Sequence, residues 1–322
     1  MKRILILVGC NFAVIIILFG GAELAVRIFV PQIGTHGTSK SIIADSLFYG
    51  SYGLRPLSSG STNDAIVRVD KYGFRKCSVK IDTAKSSWLI LGDSVTFGIG
   101  IEADSTFAGI IQTKVDSLNI VNPSVSGYNI NNYWDVFRYF VLRRNHKLKF
   151  EQVSIFWCLN DVYTNVSDFR IPGGKIRYLL SDFLTYIRIH SRLYYFLKTL
   201  LFDRPQSYYL FDKSFYDDEN PEFRHAIKKL VQINKLCQER KIRFNLVLLP
   251  YEYQLRKNDF TPQNKLVEAL RNEGVKVLNP CEHILSRNQN SQSYFLYGDG
   301  IHLSNYGHRY IANFVLNQLK IQ

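Results

Sequence analysis

Short apolar runs recur along this chain, and each is followed by a segment whose apolar residues have helical spacing. The runs are too short for helices, and their uniformly apolar character is typical of strands covered on both faces. Strands that alternate with amphipathic helices form βαβ units with right-handed crossovers, so that successive strands are parallel. The pattern therefore predicts an α/β fold, a three-layer α/β/α sandwich around a parallel sheet of about five strands. The predicted strands are residues 88–91, 120–122, 153–157, 244–249 and 275–278, and the predicted helices are residues 107–118, 131–144, 222–239 and 262–272, with a closing helix from Ser304.

Two segments lie outside this alternation. Residues 31–61 are rich in Gly, Ser and Thr, which predicts a linker with little regular structure. A short strand at 65–69 and a turn at 70–75 are expected after it. Residues 165–220 are rich in Leu, Tyr and Phe, show helical spacing over 178–201, and are longer than an ordinary connection. We therefore expect an aromatic-rich helical insertion there, over the edge of the sheet.

The N-terminus carries a charge-free run at residues 4–22, and a helix of that length spans roughly one hydrocarbon core of a bilayer. Lys2 and Arg3 precede the run, so the positive-inside rule places the N-terminus in the cytoplasm and the remainder outside. The alternatives are cleavage after the small residues 20–22 and cleavage at a lipoprotein-like box at 7–10. Both alternatives also export the chain. The expected organisation is a transmembrane anchor at 1–30, a linker and lead-in segment at 31–85, and the sheet domain at 86–322 with its insertion at 165–220.

The formal net charge of +13 is compatible with a protein that lies near anionic lipid or anionic glycan. The densest basic cluster, between Arg143 and Lys149, also fits a solvated helix end. Nothing in the sequence resembles a nucleic-acid-binding module. The five cysteines are widely spaced, without a C-x-x-C pair, so no zinc site is expected.

Ser94 and His302 are the first candidates for chemistry. Ser94 follows the strand 88–91 within Gly92-Asp93-Ser94, where a serine projects from a strand end into a glycine-rich loop. A serine hydroxyl is a weak nucleophile at neutral pH and requires a base. His302 lies three residues after Asp299, a spacing that lets the carboxylate fix the tautomer of the imidazole. The alternatives are a common turn at Ser94 and a capping loop before the closing helix.

Two further candidates follow neighbouring strands. Asn160 comes after the strand 153–157, and a side-chain amide at a strand end is a good donor to a developing oxyanion. Gly127 comes after the strand 120–122, where the absence of a side chain lets a backbone N–H approach the same oxygen. An Asx turn and a plain tight turn are the structural alternatives.

In this order, the residues resemble the SGNH (GDSL-like) hydrolase family, whose name gives the four residue types Ser, Gly, Asn and His. The resembling blocks are residues 92–98 (Gly-Asp-Ser-Val-Thr-Phe-Gly), residues 122–128 (Asn-Pro-Ser-Val-Ser-Gly-Tyr), and residues 299–304 (Asp-Gly-Ile-His-Leu-Ser) followed by Gly307-His308. The resemblance covers residues 86–322 apart from the insertion. Residues 67–75 are also similar, weakly, to a lead-in segment of exported bacterial members.

The resemblance implies a catalytic triad of Ser94, Asp299 and His302, an oxyanion hole formed by Ser94, Gly127 and Asn160, and no metal or organic cofactor. A fourth block, which comes third in chain order, is usually Gly-x-Asn-Asp in the family and corresponds to residues 158–161. This block departs from the pattern, because Cys158 replaces its glycine. A Cβ there is expected to crowd the backbone near Asn160.

The implied reaction is acyl transfer from an oxygen ester through an acyl-Ser94 intermediate. Water as acceptor makes the chain an esterase, and a sugar hydroxyl makes it an O-acyltransferase acting on exported polysaccharide. The expected partners are an acylated small molecule or glycan and, through the N-terminal helix, a membrane. A non-catalytic envelope binding module is the alternative from another class.

Overall fold

A five-stranded parallel sheet organises most of the chain, as the sequence predicts. The computed structural model describes residues 2–34, 37–143, 148–164, 181–287 and 289–321. The nine strands described are β1 (Ile43–Phe48), β2 (Ser51–Leu54), β3 (Ser59–Thr62), β4 (Ala65–Arg68), β5 (Ser86–Gly92), β6 (Asn119–Val121), β7 (Lys149–Trp157), β8 (Arg243–Leu248) and β9 (Lys276–Leu278). The sheet has the order β6-β5-β7-β8-β9, and every neighbouring pair is parallel.

Helices flank this sheet. The helices of the described residues, in chain order and in both units, are α1 (Lys2–Phe29), α2 (Ser94–Phe97), α3 (Phe107–Lys114), α4 (Ile130–Phe137), α5 (Ser181–His190), α6 (Arg192–Leu201), α7 (Arg204–Lys213), α8 (Pro221–Glu239), α9 (Glu252–Lys257), α10 (Thr261–Leu270), α11 (Cys281–Leu285) and α12 (Asn305–Leu319); α1, α5 and α6 belong to a separate unit from the sheet. Helix α3 packs on α12, and α4 packs on α8. The later residues of β5, β7 and β8 are buried on both faces, which explains the apolar runs within these strands. Ser154, a polar residue inside β7, is satisfied by the indole N–H of Trp88 at 2.9 Å.

Two predicted helices end earlier than their sequence pattern suggests. The helix predicted at 107–118 stops at Lys114, because Val115 adopts extended backbone as the chain turns towards β6. The helix predicted at 131–144 ends as an α-helix at Phe137 and continues as a π-helical turn over Arg138–Leu142. Residues 144–147 lie outside the described residues, as do 165–180 of the predicted insertion.

The prediction of little regular structure at 31–61 is wrong. Strands β1 and β2 pair as an antiparallel hairpin, and β3 pairs with β4 in a second one. The sequence Ser59-Gly60-Ser61-Thr62 of β3 contains no apolar side chain, so no alternation marks it as a strand. Strand β3 therefore forms through backbone pairing with β4, which its side chains do not predict.

The chain divides into two compact units. The smaller comprises residues 1–37 and 170–203, and the larger comprises residues 38–169 and 204–322. The predicted insertion is therefore shared between the two, with α5 and α6 in the smaller unit and α7 in the larger. In the part of the chain that the structure describes, one helical stretch, Ile6–Phe29, is long and apolar enough to cross a membrane, a test that a signal sequence also passes.

The last helix fixes the loop that precedes it. Ser304 caps α12 by accepting from the Gly307 amide at 3.1 Å, as predicted for the closing helix. The Ser304 amide donates to the Tyr294 carbonyl at 2.9 Å, and Phe295 forms a β-bridge with Leu303. The loop between these contacts, which carries Asp299 and His302, is therefore closed at its base.

Gly307→Ala is expected to destabilise the fold, because a Cβ there would lie 2.1 Å from the Tyr294 carbonyl oxygen. The backbone must shift to make room, which costs about 1–3 kcal/mol for overpacking of this kind. Thermal unfolding of the full-length protein in detergent measures the effect. Asn305→Ala, at an exposed position in the same helical turn, is the control. Equal melting temperatures for both variants would contradict the close approach.

Candidate active site

The sequence-predicted site residues lie at the ends of sheet strands and before the last helix. Ser94 begins α2 directly after β5, Gly127 lies in the loop after β6, and Asn160 lies in the turn after β7. Because β6, β5 and β7 are neighbours and parallel, their carboxyl ends share one edge of the sheet. His302 approaches that edge from the loop before α12.

Ser94, His302 and Asp299 form a continuous hydrogen-bonded chain. The Ser94 Oγ lies 3.0 Å from Nε2 of His302, although 208 positions separate the two residues in sequence. Nδ1 of His302 lies 2.9 Å from Oδ1 of Asp299. Ser94 is buried, with 8% of its surface exposed. This is the geometry in which an imidazole accepts a serine proton while a carboxylate holds its other nitrogen.

Within this hydrogen-bonded series, Asp299 and His302 favour the ion pair over their neutral forms. Burial alone would raise the pKa of Asp299, but His302, through its charge and its hydrogen bonds, together with Arg204, holds that pKa below its usual range. Burial lowers the pKa of His302, and Asp299 more than offsets this, so the pKa of the imidazole lies above 6.5. The carboxylate thus stabilises the imidazolium that proton transfer from Ser94 would create.

Asp93 positions both Ser94 and Asn160. Its Oδ1 accepts from the Val95 amide at 2.9 Å, which caps the short helix α2. Its Oδ2 lies 3.0 Å from the Ser94 hydroxyl and accepts from Nδ2 of Asn160 at 3.3 Å. The Asn160 amide and the Ser94 hydroxyl are therefore held by the same carboxylate oxygen.

The opposite side of the Asn160 amide is held by residues that sequence reasoning did not identify. The Tyr251 hydroxyl lies 3.3 Å from Oδ1 of Asn160 and 2.6 Å from Oδ2 of Asp212. Asp212, on α7, also accepts from the Tyr163 hydroxyl at 3.0 Å. Burial raises the pKa of Asp212 to about 6, although both tyrosine hydroxyls oppose the shift. Tyr251 follows Pro250 at the end of β8, and that strand-end position is the one signal that could have marked it.

The loop that carries Gly127 is supported by the first hairpin. Gly127 has φ +87, a conformation that favours glycine, and a Cβ there would lie 2.9 Å from the Tyr52 hydroxyl. Tyr52, on β2, donates to the Ser126 carbonyl at 2.9 Å. Burial and then the charge of Asp93 raise the pKa of Tyr52 to about 12, so the phenol stays protonated and remains a donor. A residue from the predicted linker thus shapes the site.

Cys158 does not produce the crowding that the sequence suggested. Its backbone is extended, with φ −97 and ψ 154, which any residue adopts. The side chain is buried, and the Cys158 amide donates to Oδ2 of Asp161 at 2.7 Å. The departure from glycine therefore leaves the turn that presents Asn160 intact.

His308, next to the last block, has a structural role. Its Nδ1 accepts from the Phe107 amide at 3.1 Å, at the start of α3. Burial lowers the pKa of His308 to about 3, so the ring is neutral and can accept. The contact joins α12 to α3 behind the loop of His302.

Comparison with known proteins gives low similarity to solved structures. No protein-family model and no curated protein matches the chain. A lipolytic G-D-S-L family protein from Veillonella parvula is 11% identical, with a TM-score of 0.44 over 74% of this chain and 100% of the other. A lipase/acylhydrolase from Enterococcus faecalis is 13% identical, with a TM-score of 0.40 over 73% of this chain and 95% of the other. A catalytic mutant of an acetylxylan esterase from Geobacillus stearothermophilus is 13% identical, with a TM-score of 0.42 over 76% and 98%. The Veillonella protein carries the name of the family that the four sequence blocks resemble.

The pH dependence of activity is expected to follow His302. Only the neutral imidazole accepts the serine proton, and Asp299 raises its pKa, so kcat/KM should increase with pH with a midpoint above that of an ordinary histidine. Asp299→Asn removes the main cause of the raised pKa, so the midpoint should move down while kcat falls roughly 10³–10⁴-fold. His283→Gln, on the exposed surface of α11, is the matched control. An unmoved midpoint in Asp299→Asn would show that another group sets the profile.

Asn160→Ala is expected to lower kcat roughly 10²–10³-fold with little change in KM, because an oxyanion donor acts mainly on the transition state. Tyr251→Phe should reduce kcat less, since Asp93 still holds the amide from the other side. Tyr253→Phe, two residues away, controls for loss of a phenol. Steady-state kinetics on a short-chain aryl ester separate the two constants. A rise in KM alone would identify Asn160 as a substrate-binding residue instead.

Proposed function

We propose that this chain is a serine esterase that cleaves O-acyl esters through an acyl-Ser94 intermediate. The observation that carries the proposal is the hydrogen-bonded chain from Ser94 through His302 to Asp299, with the Asn160 amide beside the nucleophile. Ser94 begins α2, and His302 and Asp299 lie together in the loop before α12. Their conjunction at a sheet edge is what acyl transfer requires. The same intact constellation argues against a binding module that merely kept the fold.

In the proposed first half-reaction, the Ser94 Oγ attacks the ester carbonyl carbon while Nε2 of His302 takes the hydroxyl proton. The negative charge that develops on the carbonyl oxygen is received by the N–H groups of Ser94 and Gly127 and by Nδ2 of Asn160. The Ser94 amide lies in the first turn of α2, where amides have no intrahelical acceptor. Collapse of the intermediate breaks the ester C–O bond, and His302 returns its proton to the leaving alcohol.

In the second half-reaction, His302 takes a proton from water as the water oxygen attacks the acyl carbon. The acid is released, and the proton returns to Ser94. A sugar hydroxyl in place of water gives an O-acyltransferase by the same steps. The chemistry of the triad is shared by both, so the acceptor distinguishes them.

We propose an acetylated envelope or exported glycan as the substrate. The support is the predicted outward location and the net charge of +13, which suits a compartment rich in anionic polymers. The apolar stretch Ile6–Phe29 supports an anchor in the inner membrane with the larger unit on the outer side, and a cleaved signal is the alternative. A glycan O-acetyl group requires only a small acyl pocket.

Ser94→Ala is expected to lose labelling by a fluorophosphonate probe and to lower kcat roughly 10⁴-fold or more. Ser286→Ala, at an exposed serine directly after α11, should label like the unchanged protein. Comparable hydrolysis by a folded Ser94→Ala variant would remove the central claim.

In a panel of esters, acetyl groups should be released faster than octanoyl groups. A preference for long chains would instead indicate a lipase, and rapid transfer to an added oligosaccharide with slow hydrolysis would indicate an acyltransferase.

A further inference from the structure

Helix α6 of the smaller unit has a strongly apolar exposed face. Leu197, Leu200 and Leu201 follow the i, i+3, i+4 spacing that places side chains on one face of a helix, and they are 43%, 63% and 74% exposed. Phe202, the next residue, is 63% exposed. Tyr195 lies on the opposite face and is buried. An exposed patch of large apolar side chains marks an interaction surface, because the exposure of apolar area to water is unfavourable.

The start of α6 is held by a carboxylate of α1. Glu23 accepts from the Ser191 hydroxyl at 2.9 Å and from the amides of Arg192 and Leu193 at 3.0 and 2.9 Å. A carboxylate in this position satisfies first-turn amides and complements the positive end of the helix dipole. Arg27 adds a contact with the His190 carbonyl at 3.0 Å and pairs with Glu23 at 2.8 Å.

Glu23 is also the first charged residue after the charge-free run 4–22. The described side chains between Arg3 and Gly21 are exposed all around α1, as required of a helix surrounded by lipid. That run is about long enough to cross the hydrocarbon core, so Glu23 lies where the core meets the headgroups. The carboxylate contacts therefore fix the start of α6 at the same depth.

We propose that the face formed by Leu197, Leu200, Leu201 and Phe202 lies in the outer interfacial layer of the bilayer that α1 crosses. The inference rests on the anchor within the proposed function and is independent of the ester chemistry. Lipid is favoured over a second copy of the chain because α1, the helix that holds the start of α6, also exposes apolar side chains. Leu24, Ile28 and Phe29 remain exposed beyond Glu23, on the helix to which α6 is held. Lys198 lies over the Tyr194 ring beside the patch, an arrangement suited to a headgroup region.

A depth measurement in the full-length chain tests this proposal. Cys10→Ser and Cys77→Ser remove the two cysteines that are not buried. Leu200→Cys is then labelled with an environment-sensitive fluorophore, and the protein is placed in vesicles of phosphatidylcholine and phosphatidylglycerol. Leu57→Cys in the larger unit, an exposed leucine at 79%, is the matched control. Ile15→Cys within α1 serves as the positive reference, and circular dichroism confirms that each variant is folded.

The label at position 200 is expected to emit at shorter wavelength than the label at 57. Nitroxide-bearing lipid should quench it, and aqueous iodide should leave most of its intensity. Strong iodide quenching at 200, equal to that at 57, would overturn the proposal. So would protection from iodide without quenching by the nitroxide lipid, because that result identifies a protein partner on this face. Equal lipid quenching at 57 and 200 would also overturn it, since the contact would then be non-specific. None of these results depends on whether the chain hydrolyses esters.

Discussion

The contact between Asp299 and His302 is the interaction on which the proposed site depends. The Asp299 carboxylate receives hydrogen bonds from the Ile301 amide, the His302 amide and the His302 ring, all within one four-residue turn. The imidazole is therefore oriented by its own loop, before any distant residue contributes. The fold then has to bring a serine within reach of Nε2 of His302. The closed base of the loop and the capped start of α12 set the distance between the serine and this nitrogen.

The order of the strands explains why the other polar groups meet there. The strand that leads to Ser94 lies between the strands that lead to Gly127 and Asn160. The segments that follow three neighbouring parallel strands thus carry Gly127, Ser94 and Asn160 at one edge of the sheet. Asp93 links two of them directly, since one of its oxygens faces both Ser94 and Asn160. Neighbouring strands and one carboxylate replace the many contacts that an irregular scaffold would require.

The parts of the site that were predictable from sequence lie next to strong local signals. The strand that precedes Ser94 is apolar throughout, and the residues before the last helix contain an Asp-Gly-x-His turn with a capping serine. Tyr52 and Asp212 were not predictable, because each acts across a large sequence separation and lies in a segment without a strand-like apolar pattern. The hairpin that carries Tyr52 pairs through backbone hydrogen bonds, which no side-chain periodicity records. Helix ends were also missed where a buried residue such as Val115 leaves the helix to begin a connection.

The hairpin contact with the Gly127 loop has a consequence for what counts as the smallest working piece of this protein. A boundary drawn at the first sheet strand, near residue 86, would look natural, because the parallel sheet and all four family-like blocks lie after it. Such a cut would remove the Tyr52 hydroxyl from the Ser126 carbonyl and the Ser51 hydroxyl from Asp135 on α4. The turn at Gly127 would then lose its support while every residue named for catalysis was still present. The smallest working piece of this chain therefore includes the hairpin that supports the turn at Gly127. It begins near residue 38, where the larger unit begins.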